Sequence, residues 1–252
     1  MKFVKQMSLI FLLLVLSACA TNTVKPLDNK TVSLKDTIKY MPKQSFNELG
    51  ELVEYAPKEN PYLAMDSRID KGSVLLFIEA KKAKRNGDLK TAQQKLKVIT
   101  NKDKSISGPW VMLGDINFEN KKLKLAQQDY QQALEINSEN VNAYIALARV
   151  QRVMGDFNLA QNTLERALAL WPDFPEAHLN LGILYDLYLN KSQQAQQHME
   201  AYLFLTQYKN PEVIAWLDEV KSRTGIEQSF IEVKVAAKNA VKPVENIEKA
   251  KG

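Results

Sequence analysis

Between residues 73 and 209 apolar and polar positions alternate with a helical period, and the pattern recurs every 34 residues. Large side chains stand at Leu76, Trp110, Tyr144 and His178. Three positions on come Glu79, Leu113, Leu147 and Leu181, with Glu79 the odd member. The next column is small throughout: Ala80, Gly114, Ala148 and Gly182. A second set follows in each copy, with Ala92, Ala126 and Ala160, then Leu96, Tyr130 and Leu164, then Ile99, Ala133 and Ala167. In the fourth copy the alanine falls at Ala195, which predicts one residue inserted near Asn190. Each copy therefore predicts two helices and a tight turn. Gly87-Asp88 and Gly155-Asp156 supply a left-handed stop and a following N-cap. Lys121-Lys122 replaces that pair in the second copy, where Asn120 is the expected stop. A single helix pair cannot bury its apolar face alone, so the copies must stack.

Several columns in register identify the region as similar to the tetratricopeptide repeat family, most clearly at Trp110-x-x-Leu113-Gly114 and His178-x-x-Leu181-Gly182-x-x-Tyr185. The resemblance implies an all-α fold, a right-handed α-solenoid of about four helix pairs. The copies are bounded at 73–106, 107–140, 141–174 and 175–209. Pro211 to Thr224, with Val213, Ile214, Leu217 and Val220 in helical register and Gly225 beyond, predicts a capping helix over 210–225. Residues 226–252, rich in Lys, Ala, Glu and Val, predict a disordered tail or a loose helix.

The pattern before residue 73 differs. Lys2 and Lys5 precede an unbroken apolar run, Leu9 to Leu16, too short to span a bilayer as a mature helix. This predicts a signal peptide over 1–18. Leu16-Ser17-Ala18-Cys19 resembles the lipobox of bacterial lipoproteins, which implies a lipid-modified Cys19 at the mature N-terminus of a Gram-negative envelope protein. Ala20, where aspartate acts as a retention signal in enterobacterial lipoproteins, implies an outer-membrane anchor facing the periplasm. Residues 19–44 are polar and predict a flexible tether spanning roughly 25–30 Å. Phe46, Leu49, Leu52, Val53 and Tyr55 recur at helical spacing after a potential Ser45 cap. They predict a helical segment within 45–72, ending before Pro57.

Composition narrows the chemistry. The chain is 252 residues long, with 45% hydrophobic and 25% charged residues and a net charge of +5. Removal of Lys2 and Lys5 lowers that excess, so charge gives no argument for nucleic acid. One cysteine excludes an internal disulfide and a thiolate metal site, and two histidines leave little for acid–base catalysis. No phosphate loop, zinc-protease helix or nucleophile elbow is present. His178 is expected to pack inside a helix pair. His198 and the runs Gln193-Gln194 and Gln196-Gln197 are expected on a solvated helix face. No cofactor, metal or small-molecule substrate is expected.

What remains is the concave surface, which the family resemblance assigns to the first helices. Projection at 3.6 residues per turn gives an inward stripe. It comprises Phe77, Lys81, Lys84 and Arg85, then Val111, Asp115, Phe118 and Glu119. Asn142, Ile145, Arg149 and Arg152 follow, then Leu179, Ile183, Asp186 and Leu187. Some members of the family clamp a terminal carboxylate with Lys and Asn at set columns. Phe77 and Met112 stand at two of those columns here, so that activity is not implied. The expected function is a non-enzymatic, membrane-anchored scaffold holding a segment of an envelope protein, its cations steering an acidic partner. The alternatives are a secretin pilotin or pilus assembly factor, and an envelope glycan-modifying enzyme needing two facing carboxylates.

Overall fold

The computed structural model describes residues 32–63 and 69–231. Among them are nine α-helices: α1 Lys71–Arg85, α2 Leu89–Lys102, α3 Gly108–Glu119, α4 Leu123–Ile136, α5 Val141–Met154, α6 Phe157–Leu170, α7 Pro175–Leu187, α8 Ser192–Leu205 and α9 Pro211–Thr224. They form four helix pairs stacked into an all-α solenoid, and α9 covers the open face of the last pair. Residues 1–31, which include the expected signal peptide and Cys19, lie outside the described residues, as do 64–68 and 232–252.

Local chemistry sets the helix ends. Asp70 accepts the Ser73 amide, Asp88 that of Thr91 and Asn140 that of Ala143, each satisfying a donor the helix leaves open. Proline opens α3, α7 and α9 in the first turn, where a missing N–H costs nothing. The turns inside the pairs share one left-handed residue: Gly87 (φ 82°), Lys121 (φ 59°), Gly155 (φ 86°) and Asn190 (φ 51°). Asn190 is the inserted position expected from the sequence. In the second copy the left-handed residue is Lys121 itself, while Asn120 keeps φ −76°. The fixed spacing requires the turn at position 121, whichever residue occupies it.

The small column faces the second large column across each pair. A Cβ at Gly114 would lie 2.5 Å from Tyr130 Cε1, and one at Gly182 would lie 3.0 Å from Met199 Cγ. Alanine stands at the corresponding positions in the first and third pairs, Ala80 and Ala148, where the partner helix supplies Leu96 and Leu164. Helix separation is thus conserved by trading volume between columns. The most extensive apolar cluster lies in the third and fourth pairs and α9.

The segment before α1 departs from expectation. Residues 32–44 are not a free tether, because they lie along α6 and α8, with a 3-10 turn at Ile38–Tyr40. The helix expected to end before Pro57 does not form: residues 45–56 carry no helix. The Asn47 side-chain oxygen accepts the amides of Leu49 and Glu51 (3.0 and 2.9 Å), Gly50 takes φ 79°, and Phe46 bridges Leu52. This Asn-centred turn satisfies the backbone locally. Helical spacing alone does not stabilise a short helix without a surface to cover its face, and Leu49 remains 82% exposed. Residues 226–231 also depart from the expected disordered tail. The Ile226 carbonyl accepts from Gln196, and the Phe230 amide donates to the buried Glu200.

A candidate partner-binding cleft

The inward faces of α3 and α5 form the centre of the groove. Val111, Asp115, Asn142, Ile145 and Arg149 line a cleft of ≈ 350 Å³. Its rim is completed by Asn60 from the N-terminal segment, Ala146, the turn residues Trp171 and Phe174, and Glu176 at the start of α7. The rings of Trp171 and Phe174 stack at 4.6 Å. The result is an apolar floor with a few convergent polar groups, the usual composition of a binding site.

Arg149 organises the cleft. Its Nη2 lies 3.2 Å from Asp115 Oδ1 and its guanidinium sits 4.5 Å from the Phe118 ring centroid. The Tyr130 hydroxyl donates to the same Asp115 oxygen at 2.8 Å. Burial, reinforced by the Asp115 charge, holds that hydroxyl above the usual tyrosine range. Arg149 Nε is buried without a hydrogen-bond partner.

The remaining stripe residues divide by environment. Phe77 packs on the core of the first pair, and Val111 and Phe118 pack on the middle cluster. Ile145 and Leu179 pack on the main cluster, while Ile183 is half-buried and Leu187 exposed. Lys81 and Arg85 are exposed. Lys84 is paired with Glu119 in the next copy. Arg152 donates to the Tyr188 hydroxyl at 3.3 Å and lies over its ring. Of the five cations expected to steer a partner, Lys81, Lys84, Arg85, Arg149 and Arg152, Lys84 and Arg149 are each paired with an acid one repeat away. Asp186 is corrected as a groove residue. Arg223 and the Trp216 indole of α9 hold its two oxygens at 2.7 and 2.8 Å, because the capping helix packs across this end of α7.

His178 packs inside its pair as expected, but His198 is not solvated. Its Nδ1 lies 2.9 Å from His178 Nδ1, and its Nε2 lies 2.8 Å from Thr37 Oγ1. Gln196, expected on an exposed face, is buried and bonded to Ile226 and Glu200. In both cases a terminal segment covers the α8 face. Asn60, Trp171, Phe174 and Glu176 were not legible as cleft residues, since only the stacking and the path of residues 55–62 bring them there. Among the described residues there is no cluster of metal-ligating side chains and no helix long and apolar enough to cross a membrane.

Residues 108–140 and 141–184 each match a family model described as tetratricopeptide repeat. Solved structures of similar fold include MamA, residue 41 to the end, from Desulfovibrio magneticus RS-1 (18% identity, TM-score 0.53, covering 63% of this chain and 88% of that one). Another comes from a functional characterisation of Pseudomonas aeruginosa pilF (20% identity, TM-score 0.57, 62% and 70% covered). A third is a tetratricopeptide repeat protein from Parabacteroides merdae ATCC 43184 (22% identity, TM-score 0.52, 62% of each chain covered). No curated protein sequence matches the chain. At these identities the likeness is one of fold: the chain carries tetratricopeptide repeats in an all-α solenoid.

Proposed function

We propose that this chain is a non-enzymatic scaffold that holds an extended or helical segment of an envelope protein in the α3–α5 cleft. The carrying observation is the convergence of Val111, Asn142, Ile145 and Arg149 from two repeats with Trp171 and Phe174 at the next turn. Apolar walls supply affinity, while the exposed Asn142 amide fixes orientation. Asp115 and Glu119, the acids that α3 contributes to the groove, are each paired with a cation, which favours a binding role for them over a hydrolytic one. The protein is anchored by lipid on Cys19 to the outer membrane and faces the periplasm.

Two experiments test this reading. A photo-crosslinking residue at Asn142 should capture a partner that the same residue at Gln131, exposed on α4, does not. Equal capture at both positions would remove the binding site from the cleft. Palmitate labelling should require Cys19, and label persisting in Cys19→Ala would refute the anchor.

A further inference from the structure

The N-terminal segment joins two places that chain order keeps apart. At one end the α6 side chains bind its main chain. Asn158 donates to the Val32 carbonyl and Asn162 to that of Ser33 (both 2.9 Å), while Gln161 both donates to and accepts from Lys35 (2.9 and 3.0 Å). Thr37 then enters the core beside the imidazole pair. At the other end the Tyr55 hydroxyl donates to Asp173, and the Lys58 amide donates to the same carboxylate. The Trp171 indole donates to the Lys58 carbonyl, and two residues on Asn60 forms part of the cleft rim.

The hydrogen bonds at Thr37 run in one direction only. The Pro172 carbonyl, 2.8 Å from His178 Nε2, can only accept, so that nitrogen carries the proton and His178 Nδ1 is bare. The hydrogen between the two Nδ1 atoms therefore belongs to His198. His198 Nε2 is then bare and accepts from the Thr37 hydroxyl. Thr37 in turn accepts from Tyr185, 3.0 Å away. Every link holds one hydrogen. A proton added at His198 Nε2 would meet the Thr37 hydrogen. Turning that hydrogen away would set it against the Tyr185 hydrogen.

We propose that residues 32–62 form a releasable strap, latched at Thr37 by the neutral His178–His198 pair and carrying part of the cleft rim at its far end, so that mild acid unlatches the strap and opens the cleft. The functional consequence rests on the cleft being the binding site; the latch itself does not. Burial pushes His178 down to about 4 and His198 well below its ordinary value. With the strap lifted, His198 Nε2 faces solvent and returns towards about 6.5. The open form then takes up a proton that the closed form refuses. The open-to-closed ratio rises nearly tenfold per pH unit below about 6.5, or about 20-fold from pH 7 to pH 5 for one imidazole. The other ionisable groups around the pair are accounted for. Asp173, on the α6–α7 turn, favours a proton on His178 but is held by Tyr55 and Lys58. Asp36 on the strap acts on Tyr185, while Lys39 and Tyr40 both bond Glu165 of α6.

Hydrogen exchange on the full chain in detergent tests this, with rates corrected for the intrinsic pH dependence of amides. Protection across 33–41 and 55–62 should fall together by about 20-fold between pH 7 and pH 5, with α3 and α4 unchanged. His198→Gln should flatten the dependence. Thr37→Val, which leaves every helix intact, should lower strap protection already at pH 7 while keeping the pH response, because valine still buries His198 Nε2 and offers it no acceptor. Unchanged protection in the wild-type chain, an equal fall in α3 and α4, or wild-type strap protection at pH 7 in Thr37→Val would overturn the latch. Loss confined to 33–41 would overturn its coupling to the cleft. None of these readings uses a partner, so failed capture at Asn142 with a working strap would refute the binding reading alone.

Discussion

Gly114→Ala should destabilise the array, although alanine is the better helix former by about 1 kcal/mol. The added Cβ would lie 2.5 to 2.9 Å from three atoms of the Tyr130 ring. That ring cannot retreat, because Tyr130 is wholly buried and its hydroxyl is tied to Asp115 and Arg149. Overpacking of this kind costs about 1–3 kcal/mol, and three contacts under 3 Å to a fixed ring put it at the upper end, so the net loss should approach about 2 kcal/mol after the helix gain. In a protein of this size each kcal/mol shifts Tm by about 2–4 °C. Gly182→Ala is the control: its neighbour is Met199 Cγ at 3.0 Å, on a flexible chain, and it should change Tm little. Tyr130→Leu alone should cost about 2–4 kcal/mol through the cavity it leaves. Combined with Gly114→Ala it recreates the Ala–Leu pairing of the first and third copies and should recover more than 1 kcal/mol of the summed losses. Urea melts of the four proteins, with the slope checked because repeat arrays unfold in parts, give the cycle. A stable Gly114→Ala, or additivity in the cycle, would refute the idea that volume exchange between these columns sets helix separation.

Lys121→Gly should stabilise the chain by about 0.5–1 kcal/mol, because a left-handed lysine at φ 59° carries strain that glycine does not; a lower Tm would contradict this. Ala126→Phe, at a fully buried position, should cost about 1–3 kcal/mol or more, and Gln131→Phe, on the exposed face of the same helix, less than about 0.5 kcal/mol. Arg149→Glu should lower Tm by several degrees by setting two acids together beside Tyr130, whereas Arg85→Glu should be silent in melts. Global stability should decline as pH falls from about 6.5 towards 4. The two buried imidazoles have folded-state values below their unfolded one, so the unfolded chain gains protons first; His178→Gln should blunt the decline in pH-dependent melts.

The repeats were legible because their determinants are local and periodic. Turn positions, caps, small columns and the capping helix each follow from residues a few places apart, read four times over. Even the insertion at Asn190 could be placed by counting. The segment around Phe46 to Tyr55 was misread for a related reason. Its apolar spacing fits a helix, but Asn47 and Gly50 form a turn, and no neighbouring surface rewards the helix. The groove stripe was half legible: projection found Val111, Asp115, Asn142, Ile145 and Arg149, yet it could not tell that Asp115 and Arg149 are one ion pair.

The sequence by itself determined an array of helix pairs, its register and the closing helix, because a 34-residue repeat imposes the same local solution at each copy. Tertiary structure alone decided what covers the array from outside. His198 and Gln196 look solvated in a polar helix, and they are buried only because residues 32–40 and 226–231 return to that face from 161 and 30 positions away. Contacts at such separations leave no period in the chain. They depend on complementary hydrogen bonds meeting after the helices have stacked, and only the assembled surface places those partners together.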